Sequence, residues 1–405
     1  MECNPVQLSK VITSIATGPF GSNLKVSCFV DSGFPVIDGA NLKGLKLTDN
    51  LTKFVTKEKA ESLARSIAKR GDVVVTISGT LGQIAYIPED SLYPEYLCSQ
   101  RQFKVSFDQE KVYVPYLVYY FHTREGQSKI LSFANQTGVP ALAQPTKNFQ
   151  KIEVGLPTLE EQKRIVKVAE LLTAKMELNQ QINGYLEELL DAEFTEMQAE
   201  ADDTWKDASL LDIANYKNGL AMQKFRPQPG DKGLPVLKIR ELGQGKCGPD
   251  AERCSSDIED SVHVRDGDLI FSWSGTLMLD FWAGGVAGLN QHLFKMTSDK
   301  YPSWFYYMWT KHHMRKFIAM AKDRATTMGH IKRSALANAA VKIPPSDVLR
   351  SQTKAMQPLV DEAVGLKIQS RKLANLRDAL LPRLMSGEID VSQIELPKQP
   401  NSHLA

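Results

Sequence analysis

The sequence predicts an α+β fold in which one unit, short strands followed by a long helix, occurs twice along 405 residues. Three observations predict it: an ordered internal repeat, apolar strand-like runs closed by turn residues, and a long amphipathic segment at the end of each copy. Two long helices in one chain pair most simply with each other. We therefore expect two similar domains, two helices forming an antiparallel coiled coil, and an internal pseudo-twofold repeat.

The repeat consists of several short matches in the same order. Residues 33–37 (GFPVI) return as 233–237 (GLPVL), and 71–81 (GDVVVTISGTL) return as 267–277 (GDLIFSWSGTL). Residues 99–104 (SQRQFK) likewise return as 290–295 (NQHLFK). One such match means little, but several in one order indicate a duplicated domain.

Local patterns place strands and helices within each copy. The apolar runs 73–77 and 269–273, bounded by Gly-Asp and Ser-Gly, are typical of buried strands. Segments 113–130 and 301–320 are expected to be helical, with a proline near the first turn.

The long helices begin after Pro157 and near Ser346-Asp347. Thr158 and Glu161 form a capping-box pattern, and Ser346-Asp347 can cap the second helix. Each would run for about 35–40 residues, roughly 55–60 Å. Polar Asn179 and Ser370 fall on the apolar stripes, where they would weaken pairing but fix its register. The expected pairing residues are Ile165, Val168, Leu172, Met176, Ile182, Leu186, Leu189, Leu359, Ala363, Leu366, Leu373, Leu380 and Leu384.

These signals predict five segments. They are a first domain at 1–155, a first spacer helix at 156–203, a second domain at 204–344, a second spacer helix at 345–386 and a C-terminal tail at 387–405.

Charge is distributed unevenly along the chain. Residues 156–203 have 4 basic and 12 acidic side chains, a net charge of −8, whereas 1–155 have a net charge of +3 and 204–345 of +6. Basic blocks can face phosphates, and an acidic helix suits a protein partner better than DNA.

No apolar run approaches the roughly 20 residues that span a bilayer. With no secretory signal and five cysteines in no paired pattern, the sequence favours a cytoplasmic protein with reduced thiols.

At this point the chain resembles the specificity (S) subunits of type I restriction-modification systems. The resemblance rests on residues 18–25 (GPFGSNLK), the Gly-Asp motifs at 71 and 267, and 78–82 (SGTLG). It also rests on 156–165 (LPTLEEQKRI) and 376–389 (LRDALLPRLMSGEI), so that it covers nearly the whole chain.

The resemblance implies two mixed α/β target-recognition domains, each reading one half of a split sequence in double-stranded DNA. The helices would separate these domains and dock two modification (methyltransferase) subunits, which restriction subunits can join in phage defence. No cofactor is expected in this chain. S-adenosylmethionine, ATP and magnesium would bind the partner subunits, which would methylate adenine N6 and cleave DNA.

Catalytic motifs are missing from the sequence, which agrees with a non-catalytic subunit. There is no Asn/Asp-Pro-Pro-Tyr/Phe methyltransferase motif, no phosphate-binding G-x-x-x-x-G-K-[ST] loop and no metal-nuclease cluster. The neighbouring residues His312 and His313 point to different helix faces, which makes them a poor metal site.

Base reading requires side chains on loops that a rigid scaffold presents to a DNA groove. Arginine suits guanine, and glutamine or asparagine suits adenine. The densest cationic loop, 322–333, is the first candidate. The residues expected to bind DNA are Ser22, Asn23, Lys25, Arg101, Gln102, Gln136, Thr137, Lys147, Lys224, Arg226, Gln291, His292, Arg324, Thr326, Thr327, Lys332 and Arg333.

Several alternatives remain open at this stage. Residues 78–80 could cradle a phosphate, although a turn that ends a strand is the simpler reading, and Trp273 and Trp282 could stack on bases or pack in the core. The whole chain could instead be a targeting subunit of another methyltransferase or nuclease system. It could also be a coiled-coil scaffold with no DNA role, or an enzyme with an unrecognised site. If the two sets of loops differ, the split target should be asymmetric, and helix length should set the gap between its halves.

Overall fold

The computed structural model describes residues 5–135, 140–322 and 330–395. It divides into two compact units: unit 1 comprises Met1–Leu172 and Asn375–Ala405, and unit 2 comprises Thr173–Ala374.

Unit 1 begins with a series of short strands and helices. Its strands are β1 (Pro5–Gln7), β2 (Ile12–Thr17), β3 (Phe29–Val30), β4 (Phe34–Ile37), β5 (Phe54–Val55), β6 (Ile67–Lys69), β7 (Val73–Thr76), β8 (Ile84–Tyr86), β9 (Glu95–Cys98), β10 (Gln102–Phe107) and β11 (Glu153–Gly155). Its short helices are α1 (Lys57–Glu61), α2 (Val114–His122), α3 (Arg124–Leu131) and α4 (Pro145–Gln150).

Three sheets organise these strands. β1 pairs with β11, one four-stranded sheet has the order β2-β10-β7-β8, and a five-stranded sheet has the order β3-β5-β4-β9-β6. Most pairs are antiparallel, but β4 and β9 are parallel, with Val36 opposite Leu97. Buried valines of β7 and aromatic residues of α2 form the core with Phe103 and Phe149.

Unit 2 repeats this plan. Its strands are β12 (Lys206–Ser209), β13 (Asn215–Asn218), β14 (Leu234–Leu237), β15 (Arg253–Cys254), β16 (His263–Val264), β17 (Leu269–Ser272), β18 (Met278–Phe281), β19 (Ala287–Leu289), β20 (Leu293–Thr297) and β21 (Ala340–Ile343). Its short helices are α6 (Leu210–Ile213), α7 (Ile239–Gln244), α8 (Ser303–Lys322) and α9 (Arg333–Ala337).

The sheet orders of unit 2 match those of unit 1, except that the edge strand β3 of unit 1 has no counterpart. β12 pairs with β21, a four-stranded sheet has the order β13-β20-β17-β18, and the third sheet has the order β15-β14-β19-β16. Even the parallel pair recurs, because β14 and β19 are parallel with Val236 opposite Gly288. The α+β duplication predicted from the repeat is therefore confirmed.

The predicted strands end one residue early, at Thr76 in β7 and Ser272 in β17. The predicted helix at 113–130 is two helices in the structure. Thr123 ends α2 and caps α3, since its hydroxyl accepts a hydrogen bond from the Gly126 amide at 3.1 Å. The segment at 301–320 is the single helix α8.

Two long helices follow the strand-rich parts, α5 (Leu159–Ala199) and α10 (Ser346–Met385). The predicted capping box at α5 is present: the Glu161 carboxylate accepts from the Thr158 amide at 2.9 Å, and the Thr158 hydroxyl accepts from the Glu161 amide at 3.4 Å. Within the described ranges, no helix is long and apolar enough to cross a membrane.

Within unit 1, the first turns of α5 pack with the last turns of α10. Ile165 and Leu384 are buried in one core, and Val168 and Leu380 border it. The predicted tail joins this core, because Val391 is fully buried. The Arg164 guanidinium donates to the carbonyls of Val391, Ser392 and Ile394 at 3.4, 3.4 and 3.0 Å. Residues 387–394 therefore pack against unit 1 and do not form the separate tail that was predicted.

Within unit 2, the same two helices pair in antiparallel fashion. The buried Asn179 amide donates to Gln369 Oε1 at 2.8 Å and to Ser370 Oγ at 3.2 Å, so that the two polar residues expected on the stripes meet. Farther along α5, Leu190 and Phe194 share a core with Met356 and Val360, which come earlier in α10.

The predicted stripe needs one correction, at Leu189. This side chain is 44% exposed, whereas Leu190, Phe194 and Met197 are buried. In this stretch α5 turns its apolar face to the unit 2 core around Trp304 and Trp309. Leu366 is buried as expected, and the other predicted residues of unit 2 are partly buried: Met176, Ile182, Leu186, Leu359, Ala363 and Leu373.

Candidate DNA interface

An open cleft of about 690 Å³ in unit 1 gathers many of the predicted residues. It lies where β7 ends and β10 begins. Its polar lining includes Asp38, Lys53, Thr76, Ser78, Thr80, Gln83, Ser99, Gln100, Arg101 and Gln102, and its apolar lining includes Leu24, Val26 and Phe29.

One edge of this cleft is a loop, residues 18–26, that is fixed by three backbone contacts. The Gly18 amide donates to the Gln102 carbonyl at 2.8 Å. A Cβ at Gly18 would lie 1.8 Å from the Ser99 carbonyl oxygen, so only glycine fits there. The Gln100 side-chain amide donates to the carbonyls of Gly21 and Leu24 at 2.7 and 2.8 Å.

The predicted residues of this region differ in exposure. Ser22, Asn23, Lys25 and Arg101 are exposed, and the Arg101 carbonyl accepts from the Ile77 amide at 2.6 Å. Gln102, in contrast, is 1% exposed, and its side-chain oxygen accepts a hydrogen bond from the Ser99 hydroxyl. The prediction that Gln102 reads bases is not supported by this burial, because β10 has already begun and its first side chain points inward.

The polar residues Thr76, Gln83 and Asp38 of the cleft lining are held by hydrogen bonds within unit 1. Thr76 donates to Gln83 Oε1 at 3.1 Å, and Gln83 donates to the Gly39 carbonyl at 3.0 Å. Burial alone would raise the pKa of Asp38, but its bond with Lys53 at 2.8 Å and that from the Ala40 amide lower it. The carboxylate is thus ionised and neutralised by Lys53 at neutral pH.

The Ser78-Gly79-Thr80 turn also lines this cleft. The Gly79 amide already donates to the Pro140 carbonyl at 3.2 Å, which leaves one N–H fewer for a phosphate. This contact favours the simpler interpretation, a turn that closes a strand.

Unit 2 has an equivalent loop, residues 219–226, held in the same way at its start. The Gly219 amide donates to the Leu293 carbonyl at 3.0 Å, and a Cβ there would lie 2.2 Å from the Asn290 carbonyl oxygen. Lys224 and Arg226 on this loop are exposed. They occupy the places that Asn23 and Lys25 hold in unit 1.

The side chains beside the second loop are different. His292 stands where unit 1 has Arg101, and its Nδ1 lies 3.1 Å from the Ser274 hydroxyl. Gln291 is within 3.3 Å of His292 Nε2. Trp273, in the place of Ile77, is half-buried; its ring stacks on Phe294 and lies 6.1 Å from the His292 ring and 6.3 Å from the His330 ring. Trp282 is 1% exposed and belongs to the core.

The remaining predicted residues lie at or beyond α4 and α9. Lys147 is exposed on α4, and Lys332 and Arg333 are exposed at the start of α9. Gln136, Thr137, Arg324, Thr326 and Thr327 lie outside the described residues.

Seven of the predicted basic side chains are available to an external anion. All are exposed, and none has a carboxylate within ion-pair distance among the described residues. A lysine or arginine in this state can neutralise a DNA phosphate without breaking an internal pair. They are Lys25, Arg101, Lys147, Lys224, Arg226, Lys332 and Arg333.

Among the described residues, His312, His313, Cys98 and Cys247 form neither a metal site nor a reactive thiol. In the described ranges no group of three or more His, Cys, Asp or Glu could hold a metal. His313 bonds to the Ala340 carbonyl at 2.8 Å, and burial lowers the pKa of both His312 and His313. Burial raises the pKa of Cys98 to about 12 and of Cys247 to about 11, so both thiols are protonated at neutral pH.

Sequence reasoning missed several residues of these sites. Gln100 holds the first loop in place, and Phe20 and Val26 are 77% and 86% exposed on it. His330 borders Trp273. An aromatic residue inside a Gly-Pro-Phe-Gly turn was a signal in the sequence, because neighbouring glycine and proline leave it little to pack against.

Comparisons with known proteins show what the chain is similar to. Residues 21–188 match the family model of the type I restriction modification DNA specificity domain. The specificity subunit of the type I restriction enzyme MjaIX from Methanocaldococcus jannaschii is 22% identical, with 84% of this chain and 82% of that protein covered. The EcoBI specificity subunit from Escherichia coli is 23% identical, with 54% of this chain and 43% of that protein covered.

The crystal structure of a type I restriction-modification S subunit from M. genitalium has the same fold. It aligns with a TM-score of 0.53 at 14% identity and covers 94% of this chain and 96% of that one. The part of the chain that resembles a DNA specificity domain is residues 21–188.

Residues 21–188 match this DNA specificity domain, and the chain as a whole is similar to the specificity subunits of type I restriction-modification systems. Subunits of this family recognise DNA within a complex that carries out methylation and cleavage, and they are not catalytic. The family therefore associates with DNA and with other subunits of that complex.

Proposed function

We propose that this chain reads a split, asymmetric sequence in double-stranded DNA, with unit 1 contacting one half and unit 2 the other. The observation that carries the proposal is the pair of equivalent loops, residues 18–26 and 219–226, beside which the two units present different side chains. Sheet order, loop attachment and the glycine at the start of the loop are shared. The side chains presented differ, with Arg101 in one unit and His292 in the other. One scaffold with two sets of exposed side chains should read two different half-sites.

In unit 1 the proposed base-reading residues are those that are exposed beside the cleft. Arg101 has the fork geometry for the O6 and N7 atoms of guanine, and Asn23 suits adenine. In unit 2, Gln291 and His292 take this role. The exposed lysines and arginines supply phosphate contacts, which position the duplex and make binding dependent on salt.

We propose two modification subunits as protein partners, with restriction subunits joining them. The acidic block supports a protein contact, because Glu177, Glu188 and Glu196 are exposed on α5 and would repel DNA. S-adenosylmethionine, ATP and magnesium would bind these partners. A complex that acts on the chromosome would lie in the cytoplasm.

The test is Arg101→Ala in the full complex with modification subunits, followed by mapping of N6-methyladenine in host DNA. A bidentate arginine–guanine pair contributes about 1–3 kcal/mol of discrimination. Methylation at cognate sites should therefore fall roughly tenfold, or the methylated sites should lose their base preference at one position. The change should be confined to the half-site that unit 1 reads.

The matched control is Lys10→Ala, which removes an exposed cation of unit 1 that does not line the cleft. Its methylation pattern should equal that of the parent protein. If Arg101→Ala leaves both half-sites unchanged, or alters the half-site assigned to unit 2, the assignment of this cleft to base reading is wrong.

A further inference from the structure

The loop at the cleft of unit 1 carries apolar side chains that the fold does not cover. Phe20 is 77% exposed and Val26 is 86% exposed. Val26 lines the cleft, and Phe20 precedes the short turn Gly21–Asn23 at its edge. An exposed phenylalanine contributes nothing to the core, although burial against a partner would release considerable apolar surface.

The loop holds these side chains in place. The Asn23 amide donates to the Phe20 carbonyl at 2.9 Å, and the Gln100 side chain holds the carbonyls of Gly21 and Leu24. Because the backbone on both sides of the turn is bonded to the scaffold, the Cα atom from which the ring projects is held at a fixed place. Little conformational entropy is then lost when it meets a ligand.

The charges around Phe20 indicate which partner fits. Residues 18–30 contain one basic side chain, Lys25, and no acidic one. Arg101 on the next loop is exposed and has no carboxylate within ion-pair distance among the described residues. An aromatic ring beside unpaired cations suits a polyanion that also offers apolar groups, which is the combination that phosphates and thymine methyl groups provide along the major groove of DNA.

Unit 2 presents a counterpart on its equivalent loop. Phe225 is 37% exposed and lies between the exposed Lys224 and Arg226. Its backbone is fixed as well, since the Ser255 amide donates to the Phe225 carbonyl at 2.7 Å. Phe225 corresponds in position to the buried Leu24 and not to Phe20, but both loops present an exposed aromatic side chain beside a cation.

We infer that Phe20 packs its ring against a DNA base in the half-site read by unit 1, and that Phe225 does so less extensively in unit 2. This inference rests on the proposed function and adds an apolar base contact to the polar ones. A ring that touches a base acts only when the duplex is seated correctly, so it strengthens specific binding more than random binding.

The experiment compares Phe20→Ala with Leu92→Ala in the complex with modification subunits. Leu92 is 67% exposed in unit 1 and does not line the cleft, so it controls for loss of an exposed apolar side chain. Binding is measured by fluorescence anisotropy at fixed salt, on a duplex carrying the mapped target and on a scrambled duplex. Loss of one base–aromatic contact should weaken target binding about tenfold. The dissociation constant on scrambled DNA and the salt dependence should stay within twofold of the parent.

Two further measurements make the outcome decisive. Because Phe20 is exposed, its alanine variant should melt at the parent temperature and assemble normally with modification subunits. Equal target binding by Phe20→Ala and Leu92→Ala, or a loss explained by failed assembly, would overturn the inference and would leave the proposed function standing. If the parent complex itself does not distinguish target from scrambled DNA, the proposed function fails instead.

Discussion

At the scale of single residues, two glycines determine where the recognition loops begin. Gly18 and Gly219 each donate a backbone hydrogen bond to the start of a neighbouring strand, to Gln102 and Leu293 respectively. Each also lies so close to a carbonyl oxygen that no side chain fits. The loops that carry Lys25 and Arg226 therefore leave the scaffold at equivalent points, although they share little sequence.

The first prediction concerns Gly18→Ala. Its Cβ would lie 1.8 Å from the Ser99 carbonyl oxygen, so the loop or β10 must move. We expect the free energy of unfolding to fall by roughly 1–3 kcal/mol. Methylation at sites that contain the unit 1 half-site should also be lost. Thermal unfolding and methylation mapping measure the two effects. Gly44→Ala is the control, because the nearest atom to its Cβ lies 4.0 Å away. Indistinguishable behaviour of the two variants would contradict this role of Gly18.

At this scale, only some of the exposed residues beside the unit 1 cleft could be predicted from the sequence. The pattern placed Arg101 and Gln102 together before a strand, but neighbouring residues of a strand face opposite ways. The structure exposes Arg101 and buries Gln102. Which of the two faces outward depends on the residue at which β10 joins β7, and a one-residue shift of that register reverses the outcome.

At the scale of elements, local patterns predicted buried strands and long helices well. Continuous apolar runs gave β7 and β17, and the Thr158 capping box marked the beginning of α5. Which residues of the long helix α5 and of the C-terminal segment are buried depends on contacts between segments that are distant in sequence. Leu189 lies on the helical stripe by spacing, yet the unit 2 core selects Leu190, one residue later. The burial of Val391 equally depends on a core built by residues far away in sequence.

The second prediction concerns α5, which continues without a break from Leu159 to Ala199. We propose that its length sets the number of unread base pairs between the half-sites. Four residues added between Asn179 and Gly184, matched by four added at Gly365 of α10, lengthen both helices by about 6 Å. The mapped target should then gain roughly two unread base pairs, given the 3.4 Å rise of DNA.

An insertion in α5 alone is the companion variant. It shifts Asn179 relative to Gln369 and Ser370, and thus breaks the hydrogen bonds that the Asn179 side chain donates to both. We expect this variant to unfold at a lower temperature than the doubly extended one. Active complexes of the doubly extended variant that keep the original gap would rule out helix length as the determinant of spacing.

At the scale of the whole molecule, duplication is the property from which the function follows. Two stretches with few identical residues share their sheet orders, apart from the extra edge strand β3 in unit 1, and they share the parallel strand pair and the attachment of one loop. The sequence allowed this prediction because the matched segments are the buried strands and turns, which tolerate few residue types. The loops diverge because solvent and ligand, rather than packing, act on them. For that reason the DNA sequence read by each unit could not be predicted.

The most direct measurement of the central claim is a map of N6-methyladenine in a host that carries the modification subunits, with and without this chain. The account predicts methylated sites that share one asymmetric sequence, in two specified parts separated by a constant number of unspecified base pairs, and it predicts that they vanish when the chain is removed. Methylation that persists without the chain, or a target that is continuous or symmetric, would contradict it.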